Sequence, residues 1–188
     1  MEISIYHWGL FAMSLTAFFI EPHGFKMGKV DILFKYSEPC PPDGNTKDLW
    51  NFTMKTKKLS RKATAVTFTT IPKHAIDEHI GAQLDVSVAS GNGGWKPNYY
   101  TVRSNDLCNT LKSQKNVFKQ LTENSNISAR CPFPKTPLAL NNYIVNMDDY
   151  NLPKYLPYAS VMLELFILEG KKKCICVRSF MDLVPAKQ

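Results

Sequence analysis

The sequence contains none of the short motifs that mark the common catalytic sites. It has no GxSxG, no HExxH and no phosphate-binding GxxxxGK[ST] loop. His74 and His79 are five residues apart, which does not place both on one helical face, and neither stands beside a suitable nucleophile. The sequence therefore predicts neither an enzyme nor a bound cofactor.

Metal-ligand spacings are missing too. There is no CxxC pair, and no histidine stands near a cysteine at a spacing typical of a zinc site, so no metal is predicted. The cysteines are instead typical of disulfides formed in an oxidising compartment, with one thiol left over. The five are Cys40, Cys108, Cys131, Cys174 and Cys176.

The uncharged run at residues 8–20 is too short for a spanning helix, which needs about 20 apolar residues. Its length predicts a signal peptide over residues 1–24 and a single mature domain over residues 25–188. No Lys or Arg precedes the run, and the EPHG sequence at 21–24 is a poor match to the small-residue pattern of a cleavage site. A buried N-terminal strand or a misassigned start is therefore the alternative.

Two sequons add to the prediction of a secreted, extracellular glycoprotein. Asn51 and Asn126 each begin an Asn-x-Ser/Thr triplet, the acceptor sequence for N-linked glycans.

Positive charge exceeds negative, with 23 Lys and Arg against 16 Asp and Glu. Basic residues cluster at residues 55–62 and 171–173. Each cluster is either a solvated sheet end or a patch for transient contact with an anionic membrane surface. Aromatic residues are not interleaved with these bases, so nucleic acid is not predicted as a partner.

Period-two alternation dominates the chain after residue 28 and predicts antiparallel strands. The segments are residues 30–36, 49–55, 65–71, 82–88, 99–103, 143–147, 161–168 and 173–181. In the first, alternation places Val30, Ile32, Phe34 and Tyr36 on one face. An apolar stripe from Leu107 predicts one helix, capped by Ser104 or Asn105, that ends around residues 123–125. The predicted fold is all-β, an immunoglobulin-like β-sandwich or β-cup of about eight antiparallel strands with one short helix.

Two segments point to an apolar ligand or to a packed core. Residues 161–168 (VMLELFIL) are apolar on both faces except at Glu164, as expected for a central strand or for the wall of a cavity. The segment 152–158 is a predicted loop with large apolar side chains. Its Tyr155, Leu156 and Tyr158 either pack on the domain or form the rim of a cavity.

The order of several motifs resembles a known family. DLC at 106–108 opens the helix, CPFPK follows at 131–135, LPKYL at 152–156, and a closing hairpin has cysteine in its last strand. With GGWKP at 93–97, this pattern over residues 28–182 resembles the ganglioside-activator branch of the ML lipid-recognition superfamily. Within that branch it is closest to the arthropod chemosensory-B-type, pheromone-related secreted proteins.

The resemblance implies two disulfides. One joins Cys108 to Cys131, and the other joins Cys40 to a cysteine of the last strand. Cys176 matches that position slightly better than Cys174, and both stay open. The vertebrate activator has more bridges than these cysteines supply, so its ganglioside specificity is not carried over.

The resemblance also implies a β-cup that holds a lipid or another apolar small molecule, such as a pheromone or other semiochemical, between two sheets. A filled core is the alternative for each candidate wall residue. The candidates are Val66, Phe68, Leu84, Val86, Phe118, Leu163 and Leu165. Two other functions stay open: a secreted interaction module with a packed core, for a receptor or immune recognition, and a cofactor that presents glycolipid to a hydrolase.

Overall fold

The computed structural model describes residues 26–41, 50–60, 63–127, 130–146 and 155–186. The predicted signal peptide and residues 152–154 of the predicted rim loop lie outside these ranges. The described residues form ten strands and two short helices. The strands are β1 (Met27–Gly28), β2 (Val30–Pro39), β3 (Phe52–Lys58), β4 (Ala63–Thr70), β5 (Ile80–Ala89), β6 (Trp95–Ser104), β7 (Leu138–Asn146), β8 (Leu156–Pro157), β9 (Ala159–Glu169) and β10 (Lys172–Pro185). The helices are α1 (Leu107–Ser113) and α2 (Lys115–Glu123).

The strands build three antiparallel sheets: a five-stranded large sheet, a three-stranded small sheet and a two-stranded sheet. The large sheet has the order β2-β10-β9-β5-β6, the small sheet has the order β3-β4-β7, and β1 pairs with β8. The predicted all-β sandwich class is confirmed. Each of the eight strands longer than two residues in the described ranges overlaps one of the eight predicted segments.

The position of β9 at the centre of the large sheet accounts for its apolar sequence. Its side chains alternate between two faces, both of which are covered in part. We call the face with Leu163, Leu165 and Ile167 the inner face, because Ile167 packs in one core with Leu138 of the small sheet. Glu164 lies on the opposite, outer face, where its Oε1 accepts a hydrogen bond of 2.7 Å from Arg178 Nε.

The two sheets share a core at one end only. The closed-end core comprises Trp50, Ile76, Ile80, Cys108, Phe133, Leu138, Cys174 and Ile175, with members from both sheets and α1. The open-end core comprises Phe34, Val88, Val161, Met181 and Leu183, all from the large sheet. The partly buried residues around the open-end core also come from the large sheet and β8, and none from the small sheet among those described. Among the described residues, the small sheet therefore contributes to the core at one end of the large sheet and not at the other.

The helical segment departs from the prediction in two respects. It breaks at Gln114 into α1 and α2, where one helix was predicted. The N-cap is Asp106, not Ser104 or Asn105, because its Oδ1 accepts a hydrogen bond of 2.8 Å from the Asn109 backbone N–H. None of the helices in the described ranges is long and apolar enough to cross a membrane.

Tyr36 does not share a face with Phe34, so this part of the predicted alternation is wrong. Phe34 pairs with Met181 in the open-end core, whereas Tyr36 pairs with Phe180 and stacks on its ring at 4.5 Å. The cause is a register shift that inserts Lys35 as an extra residue, and such a bulge moves the following side chain to the other face.

Candidate ligand-binding cleft

One wall of the candidate cleft is an aliphatic block on the inner face of the large sheet. Strand register places Leu84 opposite Leu165 and Val86 opposite Leu163. Directly opposed side chains on one sheet face contact each other, so these four predicted residues form one surface. On the other side of β9, Val177 extends the block because it pairs with Leu165.

The block is open to solvent at its centre. Leu165 stands in the middle of the central strand, yet 43% of its surface is exposed. Leu84, Val86 and Leu163 are half-buried. In a closed sandwich these positions are the most buried of the sheet, so the exposure shows that the small sheet does not cover them.

The opposite wall belongs to the small sheet. Val66 and Phe68 lie on the same face of β4, and Phe68 packs against the closed-end core. The Phe68 ring lies 5.6 Å from that of Phe52, centroid to centroid. Beyond Phe68 on the same face of β4, Val66 is half-buried and pairs with Tyr143, which is 6% exposed.

Phe118 of α2 also packs against the closed-end core. It therefore lies with Phe68 at the closed end, whereas Leu84, Val86, Leu163 and Leu165 lie in the open middle of the large sheet.

The predicted rim residues divide into one exposed and two partly buried side chains. Tyr155 is 59% exposed. Leu156 packs partly against the open-end core, and the Tyr158 ring lies on Gly28, where an added Cβ would overlap its hydroxyl. The segment therefore packs on the domain at the open end and leaves Tyr155 accessible there.

The aliphatic block itself is uncharged, and the charged residues of the inner face, Lys96 opposite Val88 and Glu169 opposite Ile80, lie at its two ends. Asp182 lies on the outer face, 2.7 Å from Lys35 Nζ, and accepts a hydrogen bond of 2.5 Å from Ser160 Oγ. Burial raises the pKa of the Asp182 carboxyl, but the hydrogen bonds from Lys35 and Ser160 and the charge of Lys35 bring it below its ordinary value. The uncharged wall suits an apolar ligand.

Both disulfides are those that the resemblance implies. Cys108 of α1 bonds to Cys131, and Cys40 bonds to Cys176 and not to Cys174. The bulge between Lys173 and Ile175 explains the choice, because it puts Cys174 in the closed-end core and Cys176 on the outer face.

The two predicted glycan acceptors are exposed. Asn51 follows the buried Trp50 directly, on the side of the chain that faces solvent. The Asn126 side chain is held by the backbone, since Nδ2 donates to the Pro137 carbonyl at 2.7 Å and Oδ1 accepts from Ala139 N at 2.9 Å. Glycosylation at both residues stays a prediction.

Two further surfaces contain polar groups. Among the described residues, Cys40, Cys176 and Glu164 bring three possible metal-ligand atoms within 4.8 Å, but both sulfurs are in a disulfide and Glu164 is paired with Arg178. A groove of about 630 Å³ lies beside the β9–β10 turn, lined by residues of both charges that include Glu78, Arg103 and Lys171. This groove could not be predicted from the sequence. Its residues are far apart along the chain, and only the pairing of the strands brings them together.

Trp50 and Val177 were not predicted as residues of the site. Trp50 was assigned to a strand, but it precedes β3 and is 2% exposed in the closed-end core. The alternation of residues 173–181 indicated a strand that contains Val177. The bulge at Cys174 determines which face of the sheet Val177 occupies.

The segment that contains Leu84, Val86 and Leu163 of this cleft matches a family model. Residues 82–163, from β5 to the first half of β9, match the family described as a protein of unknown function, DUF1091. A search of curated proteins gives no match. DUF1091 is a family found in ML-domain proteins, which is the superfamily that the sequence motifs resemble.

Proposed function

We propose that this chain is a secreted, non-enzymatic binding protein that holds a lipid or another apolar small molecule between its two sheets. The exposed Leu165 at the centre of the large sheet is the observation that carries the proposal. An apolar chain laid on this wall would gain roughly 0.8 kcal/mol for each methylene that it buries. The match to a family found in ML-domain proteins supports the same function, and an arthropod-type role with pheromones or other semiochemicals is the specific form that we propose.

The test is native mass spectrometry of the protein secreted from eukaryotic cells, followed by solvent extraction. A co-purifying molecule of defined mass is expected, and its identification would name the ligand. The same sample reports the mature N-terminus and the glycans at Asn51 and Asn126. An unliganded mass that does not change after incubation with glycolipids, fatty esters and long hydrocarbons would refute the proposal.

Contact with an anionic membrane is the proposed route by which ligand enters or leaves. β3 ends with Lys57 and Lys58 and is followed by Leu59, all exposed, and Lys55 precedes them on β3; we call these four residues the basic hairpin. β3 begins beside the closed-end core, where the backbone N–H of Trp50 donates to the carbonyl oxygen of Cys174. From there it runs away from that core toward the turn that leads to β4. The basic hairpin therefore lies at the open end of the cleft.

An exposed aromatic group favours a second function, docking on a receptor or another protein. Tyr36 and Trp95 flank Phe180 on the outer face and are 47% and 38% exposed. Exposed aromatic side chains are enriched at protein interfaces. This function is compatible with a carrier, because the outer face is separate from the cleft; loss of receptor binding in Tyr36→Ser with ligand retained would support it.

A further inference from the structure

Trp50 is fixed at the point where the two sheets join. Its backbone N–H donates to the carbonyl of Cys174 at 2.7 Å, and its side chain is 2% exposed. The indole packs in the closed-end core, against which Phe52, Phe68 and Val177 of the two walls also pack. The Trp50 ring therefore lies in the core on which the two walls converge.

The indole Nε1 of Trp50 is a buried donor with no hydrogen-bond partner among the described residues. An indole can only donate, so no rotation of the side chain turns it into an acceptor. Buried tryptophan N–H groups usually find a partner, and a group left without one requires an explanation. The closed-end core beneath the walls thus contains one unused donor, and a ligand oxygen reaches it only by entering that core.

We propose that Trp50 Nε1 donates a hydrogen bond to an oxygen of the bound ligand, so that the cleft selects apolar molecules with a neutral acceptor over plain hydrocarbons. The inference rests on the proposed carrier function. An ester, ketone or alcohol oxygen that leaves water needs a replacement partner, and the indole supplies it. A carboxylate is disfavoured, because no charged residue is buried in the described part of the chain to offer it a cation.

The experiment measures the affinity of the delipidated full chain for three probes of equal length: a linear hydrocarbon, its methyl-ester analogue and the free fatty acid. The ester is expected to bind about fivefold more tightly than the hydrocarbon, as a net hydrogen bond allows. Trp50→Phe removes the donor and keeps an aromatic ring, and it is expected to abolish this preference while the hydrocarbon affinity stays within about twofold. Trp95→Phe, on the outer face, is the matched control and should keep the preference.

A second measurement does not depend on a variant that folds. In the ¹⁵N-labelled wild type, the Trp50 indole N–H resonance is expected to shift downfield with the ester and not with the hydrocarbon. If the wild type binds ester and hydrocarbon equally and the indole signal is unchanged, the inference is wrong and the carrier function stands. If neither probe binds, the carrier function itself fails and the inference fails with it.

Discussion

Leu165 and Leu168 lie three residues apart in β9 on opposite faces of the large sheet. Leu168 is 5% exposed and packs with Phe166 and Cys176, whereas Leu165 is nearly half exposed on the cleft wall. Leu168→Ala should therefore lower the free energy of unfolding by about 2–5 kcal/mol, and Leu165→Ala by clearly less. Leu165→Ala should instead weaken ligand binding by roughly tenfold, since it removes contacts worth about 0.8 kcal/mol per methylene.

Denaturant unfolding and ligand titration of both variants separate the two roles. A Leu165→Ala variant that loses as much stability as Leu168→Ala, with unchanged ligand affinity, would show that Leu165 belongs to a filled core.

Asp182 links stability to pH through its contacts with Lys35 and Ser160. Its pKa in the folded protein lies below the ordinary 3.8, so the ionised carboxylate favours the folded state. This contribution is present above pH 3.8 and is lost as the pH falls through the lowered folded pKa. Asp182→Asn should therefore reduce the free energy of unfolding at pH 7, and the difference from wild type should shrink below pH 3.8.

Urea unfolding from pH 7 to pH 2 tests this expectation. Glu123→Gln is the control, because it makes the same charge change at an exposed site at the end of α2. Such exposed pairs contribute little to stability. A constant difference between Asp182→Asn and wild type at every pH would contradict the account.

The two disulfides connect different elements and close loops of very different length. Cys108–Cys131 ties α1 to the segment before Phe133 across 23 residues, and Cys40–Cys176 ties the end of β2 to β10 across 136 residues. In the chain-entropy model, the short loop contributes about 3 kcal/mol and the long loop about 5 kcal/mol. Guanidinium unfolding of the paired Cys→Ser variants should show the greater loss for Cys40 and Cys176, and the reverse order would show that local packing outweighs loop entropy.

The strands could be predicted from the sequence because alternation is a local property. The ends of β5 and β9 were predicted to within two residues. Burial of one or both faces of a strand places apolar residues at regular positions in the sequence, and these positions can be recognised directly. The bulge at Lys35 could not be predicted, because it is set by pairing with β10 and not by residues near Tyr36. The break at Gln114 has no proline or glycine to signal it.

The candidate site was predictable only in part, for a related reason. Alternation shows that Leu84, Val86, Leu163 and Leu165 lie on apolar faces of their strands. A face that is packed in a core and a face that is open to a ligand give the same alternation of residues. The distance between two sheets depends on where their cores meet. Trp50 shows the limit most clearly. It alternates with Phe52 as a strand residue would, yet it precedes β3, and no periodicity reveals that it lies in the core shared by the two sheets.

At the scale of the whole molecule, the two basic clusters lie at different ends. The basic hairpin projects from the small sheet at the open end of the cleft. The second cluster, Lys171 and Lys172, lies at the turn between β9 and β10, beside the closed-end core. Attraction to an anionic membrane through the first cluster would bring the cleft opening to the lipid surface, whereas attraction through the second would turn it away.

Charge reversal at each end distinguishes these two orientations. Wild type should bind vesicles that contain phosphatidylserine, and binding should weaken with salt, because screening reduces the attraction. Lys57→Glu with Lys58→Glu should reduce this binding by more than about tenfold, since each well-placed lysine contributes about 1 kcal/mol. Lys171→Glu with Lys172→Glu makes the same change in net charge at the closed end and should leave most of the binding intact. Equal losses in a co-sedimentation assay would mean that net charge alone drives the contact, and the membrane would then have no preferred access to the cleft.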